Sequence, residues 1–125
     1  MNTVCLAGRL AADVEKVTYG DKKDKKVMGR FTLAVRDGVD DDGNPKAQFI
    51  HCVMFGENGV NALAEFAGKG DAISVVGRLK NGVYEDTNGI TRYTTDVIIS
   101  DFDFMNSRKQ KEEEEEPKQK GKYHR

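Results

Sequence analysis

Residues 49–80 read FIHCVMFGENGVNALAEFAGKGDAISVVGRLK, and the changes of hydrophobic period inside this stretch decide the fold. At 49–55 apolar side chains alternate. Ile50, Cys52 and Met54 share one face of a strand, while Phe49, His51, Val53 and Phe55 share the other. Two aromatic rings and an imidazole exceed what a core requires if that second face meets water. At 58–67 the period lengthens to that of a helix: Val60, Leu63, Ala64 and Ala67 form a stripe, with Asn58 the expected cap and Gly68 the expected stop. After Lys69, Gly70 and Asp71 the alternation returns. Ile73, Val75, Gly77 and Leu79 face one way; Ser74, Arg78 and Lys80 face the other, with Val76 the exception.

Downstream, this last strand becomes one arm of a long hairpin turning at Asn88-Gly89. A two-residue turn would pair Thr87 with Ile90, Glu85 with Arg92 and Tyr84 with Tyr93; a three-residue turn would shift that register. Arg78, Lys80 and then Tyr84 on one face suit a binder of single strands, because cations follow phosphates and a ring stacks on any base. Taken alone, the segment fits a plain amphipathic hairpin with a surface tyrosine equally well.

Upstream, Val4, Leu6, Gly8 and Leu10 alternate with Cys5, Ala7 and Arg9, and Gly8 is expected to mark a bulge or bend. Residues 19–26 form a polar, lysine-rich connection carrying Gly20. In the next strand Phe31, Leu33 and Val35 face in, with Phe31 a core residue, and Arg30, Thr32 and Arg36 face out. The loop 37–45 follows, with Asn44-Pro45 its expected turn. Three strands, one helix and two strands predict an all-β protein: a five-stranded OB-fold, a Greek-key barrel with one helix between strands 3 and 4. The domain is expected to occupy 1–105. Residues 106–125, with glutamates at 112–116, are a charged, core-free C-terminal tail expected to be disordered.

A chain of 125 residues suffices for one core. It contains neither an 18-residue apolar run nor a charged-then-apolar leader, so no membrane association is expected. Two cysteines, Cys5 and Cys52, are too few for a disulfide framework, and a reducing cytoplasm fits them. The net charge of −1 does not exclude nucleic acid, because the negative charge is sorted into Asp40, Asp41, Asp42 and the tail.

The chain also resembles the single-stranded DNA-binding proteins of bacteria and their phages. The resemblance is carried, in order, by Met-Asn-x-Val-x-Leu-x-Gly-Arg-Leu from Met1, Phe-Thr-Leu-Ala-Val from Phe31 and Phe-Ile-x-Cys-Val-x-Phe-Gly from Phe49. Lys-Gly-Asp from Lys69, Gly-Arg-Leu from Gly77, Tyr-Glu-Asp from Tyr84 and Arg-Tyr-x-Thr from Arg92 continue it. It implies a homotetrameric OB-fold protein of the bacterial cytoplasm, or of the host cytoplasm if phage-encoded. Such a protein coats single-stranded DNA during replication, recombination and repair. The family's stacking rings carry over onto Phe49, Phe55 and Tyr84. A further stacking position falls on Val39, where one contact of roughly 1–3 kcal/mol per base is lost. The tail has an acidic run but ends Lys122, Tyr123, His124, Arg125 in place of the family's apolar docking tip. That departure suits a phage or divergent member and leaves its replication and recombination partners open.

Around the rings, Arg30, Arg36, Arg78, Lys80 and Arg92 are the expected phosphate contacts, and His51 and Tyr93 are candidates for further stacking or support. Neighbouring strand residues point to opposite faces, so His51 and Cys52 cannot share a metal or a proton; a groove histidine and a buried cysteine are expected. No metal, cofactor or catalytic residue is expected. The chain contains no phosphate-cradling loop with a lysine, no carboxylate pair on one face and no nucleophile beside a base. An OB-fold RNA binder or primosome-type accessory protein is the alternative, and a protein-assembly module with interfacial rings is a third.

Overall fold

Alternating apolar residues build most of the strands in the computed structural model, which describes residues 1–105; the expected tail lies outside the described residues. The elements are β1 (Val4–Leu10), β2 (Glu15–Tyr19), β3 (Lys26–Val39), β4 (Pro45–Phe55), α1 (Glu57–Phe66), β5 (Ala72–Glu85) and β6 (Thr91–Phe104). Strand β1 pairs antiparallel with β5 and β3, β5 with β6, and β3 with β4, while β4 and β6 run parallel. The order β1-β5-β6-β4-β3 therefore returns to β1 and closes the ring of the OB-fold.

The expected five barrel strands are present, with a further segment, β2, completing the first of them. It pairs with β3 from Glu15↔Arg30 to Tyr19↔Lys26, continuing the β1–β3 pairing that ends at Leu10↔Leu33. β1 and β2 are thus two halves of one barrel strand, interrupted at 11–14. Alternation does not reveal β2, because Val17 is its one partly buried residue.

Leu10, Phe31, Leu33, Cys52, Met54, Ile73, Val75, Val97 and Ile99 fill the barrel, and Val60 and Leu63 of α1 cap its end. The helix starts one residue early. Gly56, at φ 109°, is its N-cap in place of Asn58, and its end is set by Ala67 N–H donating to the Leu63 carbonyl at 3.0 Å, not by Gly68. Gly8 shows no bulge, since its pairing with β5 is continuous. Its bare Cα lets the Ala34 carbonyl approach where β1 crosses from β5 to β3; a Cβ there would collide with that oxygen. The irregularity lies at Val76/Gly77 instead, and a Cβ at Gly77 would strike the Ile98 carbonyl.

An aspartate ties the turn of each long hairpin. Strands β3 and β4 extend to Val39↔Pro45, and the turn is tied by Asp40, whose Oδ1 accepts the Asp42 and Asn44 N–H groups at 2.9 Å. Pro45 therefore opens β4. The β5–β6 hairpin has a three-residue turn. Asp86 N–H donates to Ile90 O at 3.0 Å, and Gly89 supplies the left-handed residue at φ 77°. This moves the register by one, to Glu85↔Thr91, Tyr84↔Arg92 and Val83↔Tyr93. Leu79, expected inside, is exposed, because β1 ends opposite Gly77 and β5 runs past the barrel as a ribbon with β6.

Candidate nucleic-acid interface

The outer face of β4 carries the side chains left over from the core. Ile50, Cys52 and Met54 turn inward, and Phe49, His51 and Phe55 are exposed, Phe49 at 63 % and Phe55 at 49 %. Six residues of strand set these two rings about 20 Å apart, at about 3.3 Å per residue.

Register brings the predicted cations onto the same face. Arg30 lies opposite Val53 and Arg36 opposite Ala47 on β3, and Ile98 of β6 lies beside Val53 on the other side. Arg78 is opposite Ile98, so Arg78, Ile98, Val53, Arg30 and Glu15 form one row across four pairings. Lys80 lies opposite Asp96, two residues further along the ribbon. Tyr84, 54 % exposed, shares the side of β5 that bears Arg78 and Lys80.

Two adjoining clefts follow this face. One of about 300 Å³ is bounded by Met28, Arg30, Val53, Phe55, Lys80 and Asp96. The other, about 420 Å³, runs past Arg30, Thr32, His51, Val53 and Asp96 to Asp13 and Glu15. Ring and cation line one groove at the Phe55 end, and Tyr84 and Phe49 lie further out.

The cations differ in how freely they can meet a phosphate. Arg30 Nη2 is 3.0 Å from Glu15 Oε1, an exposed pair worth about 0–1 kcal/mol and easily exchanged. Arg92 is more committed. Its Nε donates to Asp86 Oδ2 at 2.9 Å, while Asp86 Oδ1 accepts the Asn88 and Ile90 N–H groups. The Ile90 N–H and then Arg92 hold the Asp86 carboxyl below the ordinary carboxylate range. Arg92 thus secures the hairpin turn.

His51 Nδ1 lies 3.3 Å from Thr32 Oγ1 on the outer face, and the Cys52 side chain is buried beneath it. Burial, and secondarily the Asp96 charge, pushes the Cys52 thiol up to about 12, so it stays protonated and unreactive at neutral pH. Among the described residues no group of three or more His, Cys, Asp or Glu side chains could hold a metal ion, and no helix is long and apolar enough to cross a membrane.

Two aromatic placements depart from the sequence reading. Tyr93 pairs with Val83, not Tyr84, and so lies on the opposite face of the ribbon, 78 % exposed. Tyr19, unremarked in the sequence, meets Phe55 edge to face, with ring centroids 6.4 Å apart at 75°. Only the placement of β2 beside β3 could have revealed it. Val39 is exposed at the far end of β3.

Residues 1–105 match the family model described as the single-strand binding protein family. A single-stranded DNA-binding protein of Clostridium perfringens is 40 % identical over 108 residues, covering 86 % of this chain and 67 % of that one. Single-stranded DNA-binding protein 1 of Streptococcus pyogenes is 36 % identical over 109 residues, covering 86 % and 81 %. In fold, the chain is similar to the protein of a Plasmodium falciparum SSB complex with ssDNA, at TM-score 0.73 and 21 % identity, over 85 % of this chain and 96 % of that one.

Proposed function

The chain belongs to the single-strand binding protein family, and from that premise we propose how its outer face holds DNA. The protein binds and protects single-stranded DNA in replication, recombination and repair, without catalysis and with little regard to sequence. Phe49, Phe55 and Tyr84 stack on unpaired bases. Arg30, Arg36, Arg78 and Lys80 neutralise phosphates, and His51 supports the strand between the two β4 rings. Duplex is rejected because its bases are already stacked on one another. The observation that supports this most is the groove that brings Phe55 together with Arg30 and Lys80 on an exposed face the core does not use. Arg92 acts through the turn, holding Tyr84 in place from the opposite strand.

Self-association, as a homotetramer, is the second part of the proposal. The edge of β1 over residues 4–8 has β5 on one side and no strand on the other among the described residues, and a free edge of this kind pairs readily with a copy of itself. The back of the β5–β6 ribbon adds Leu79, Val83 and Tyr93 as exposed apolar surface. The binding domain is assigned to 1–105, and the protein is placed in the bacterial cytoplasm, or in the host cytoplasm if it is phage-encoded.

Alanine at Phe55 or Tyr84 tests the interface. Each is expected to weaken binding of oligo(dT) about tenfold, within the 1–3 kcal/mol of one stacked base. Unchanged affinity in both would rule out stacking at these positions.

A further inference from the structure

We infer that Asn2 is a positioning residue for DNA binding: its side-chain amide fixes the point where the β5–β6 ribbon leaves the barrel, and with it Arg78, Lys80 and Tyr84. This rests on the single-strand binding proposed above and adds a residue that acts through others.

The ribbon begins where its support ends. Strand β1 runs beside β5 only as far as Val4↔Gly77, so from residue 78 onward β5 has β6 alone beside it among the described residues. Two features make this junction a pivot. The β5–β6 register slips between Val76 and Gly77, leaving Ser100 of β6 without a partner on β5, and a slip of this kind bends the strand. Gly77 itself has no side chain to brace the bend.

Continuing the β1–β5 register by two places sets Asn2 opposite Leu79. There a side chain takes over from the main chain. Asn2 Nδ2 donates to the Leu79 carbonyl at 2.9 Å, and the Leu79 N–H donates to Asn2 Oδ1 at 2.9 Å. One planar amide thus satisfies both backbone groups of Leu79, as a further strand residue would in a hydrogen-bonded antiparallel pair. Two bonds from one rigid plane fix direction as well as distance. From the β6 side, Ser100 Oγ donates to the Val76 carbonyl at 3.0 Å. The pivot is therefore held from both neighbouring strands, on the β1 side by a residue 77 positions away in sequence.

Leu79 lies between Arg78 and Lys80, and Tyr84 lies five residues further out on the same strand. At about 3.3 Å per residue the tyrosine stands about 17 Å beyond Leu79, so a rotation at the pivot displaces the ring far more than the two cations. Phe49 and Phe55 stand on β4, which is paired to β3 along this length, and do not move with the ribbon. A ribbon left to swing must be immobilised when DNA binds, and that ordering weakens affinity without removing any DNA contact.

The experiment uses the full chain, with Asn2→Ala made alone and in the Tyr84→Ala and Phe49→Ala backgrounds. Titration with oligo(dT) should show about fivefold weaker binding for Asn2→Ala alone, the ordering cost of one or two side chains, with the denaturant melt nearly unchanged. That loss should persist with Phe49→Ala and shrink to about twofold or less with Tyr84→Ala, because the ring that Asn2 positions is then gone. An equal loss in all three backgrounds, or no loss in any, would overturn the role. Hydrogen exchange in the absence of DNA tests the contact itself. In the unmodified chain the Leu79 N–H should exchange more slowly than those of Asn81 and Val83 on the same open edge, and in Asn2→Ala as fast as they do. Asn2→Asp, which keeps the acceptor and drops the donor, should leave the Leu79 N–H protected. Equal exchange at the three positions in the unmodified chain would overturn the inference as well. If the unmodified chain shows no preference for oligo(dT) over duplex, the underlying single-strand reading fails and the role of Asn2 falls with it; with that preference intact, an unchanged affinity removes Asn2 alone.

Discussion

Phe31 and Phe55 have the same side chain and opposite fates, decided by strand parity and what covers each face. Phe31 is 5 % exposed in the barrel and Phe55 lies open on the groove. Phe31→Ala should cost about 3–5 kcal/mol of stability, read in denaturant melts, whereas Tyr84→Ala should leave the melt nearly unchanged while weakening DNA binding. Cys52 makes a second residue-level prediction. Its thiol rises from an ordinary 9.0 to about 12 in the folded chain. The folded state thus holds a proton that the unfolded state releases, and this contribution to stability is complete below pH 9 and lost as pH rises toward 12. A thiol reagent at neutral pH should accordingly label the exposed Cys5 quickly and Cys52 only on unfolding. Asp96 lines both clefts and lies opposite Lys80, so Asp96→Asn should tighten DNA binding several-fold at low salt, checked by titration with oligo(dT).

At the scale of elements, the β5–β6 hairpin shows why sequence reading ends where it does. Its strands were legible from alternation, and so were β3 and β4. The turn was not, because Asn88-Gly89 fits both a two-residue and a three-residue loop; only the Asp86 hydrogen bonds select the second. That single step moved Tyr93 off the Tyr84 face. Gly89→Ala should cost about 1–2 kcal/mol by forcing an L residue into the left-handed region, and it should weaken binding by loosening the turn that orients Tyr84. In acid the turn holds until pH falls through the lowered Asp86 value, since a depressed carboxyl contributes stability above its unfolded pKa and loses it below the folded one. Strand β2 escaped for a different reason. With Val17 alone partly buried, it is held by pairing to β3, and so the ring of Tyr19 was invisible in the sequence.

Over the whole molecule, the order of elements was enough to indicate the barrel, while its closure depends on two places where backbones touch. Gly8 against the Ala34 carbonyl and Gly77 against the Ile98 carbonyl leave no room for a side chain, a requirement that no hydrophobic pattern encodes. The net charge of −1 is equally uninformative as a sum. Asp40, Asp41 and Asp42 lie in the β3–β4 turn, while Arg30, Arg78 and Lys80 converge on the groove face. Self-association belongs to this scale too: Cys5→Pro, which removes an N–H from β1, should lower the sedimentation coefficient if that edge pairs with a copy. Most direct of all is equilibrium titration of the unmodified chain with oligo(dT) and with the matching duplex across a salt series. Binding should favour the single strand strongly and weaken steeply as salt rises; equal affinity for the two, at any salt, would contradict an interface built from stacking rings and phosphate-neutralising cations.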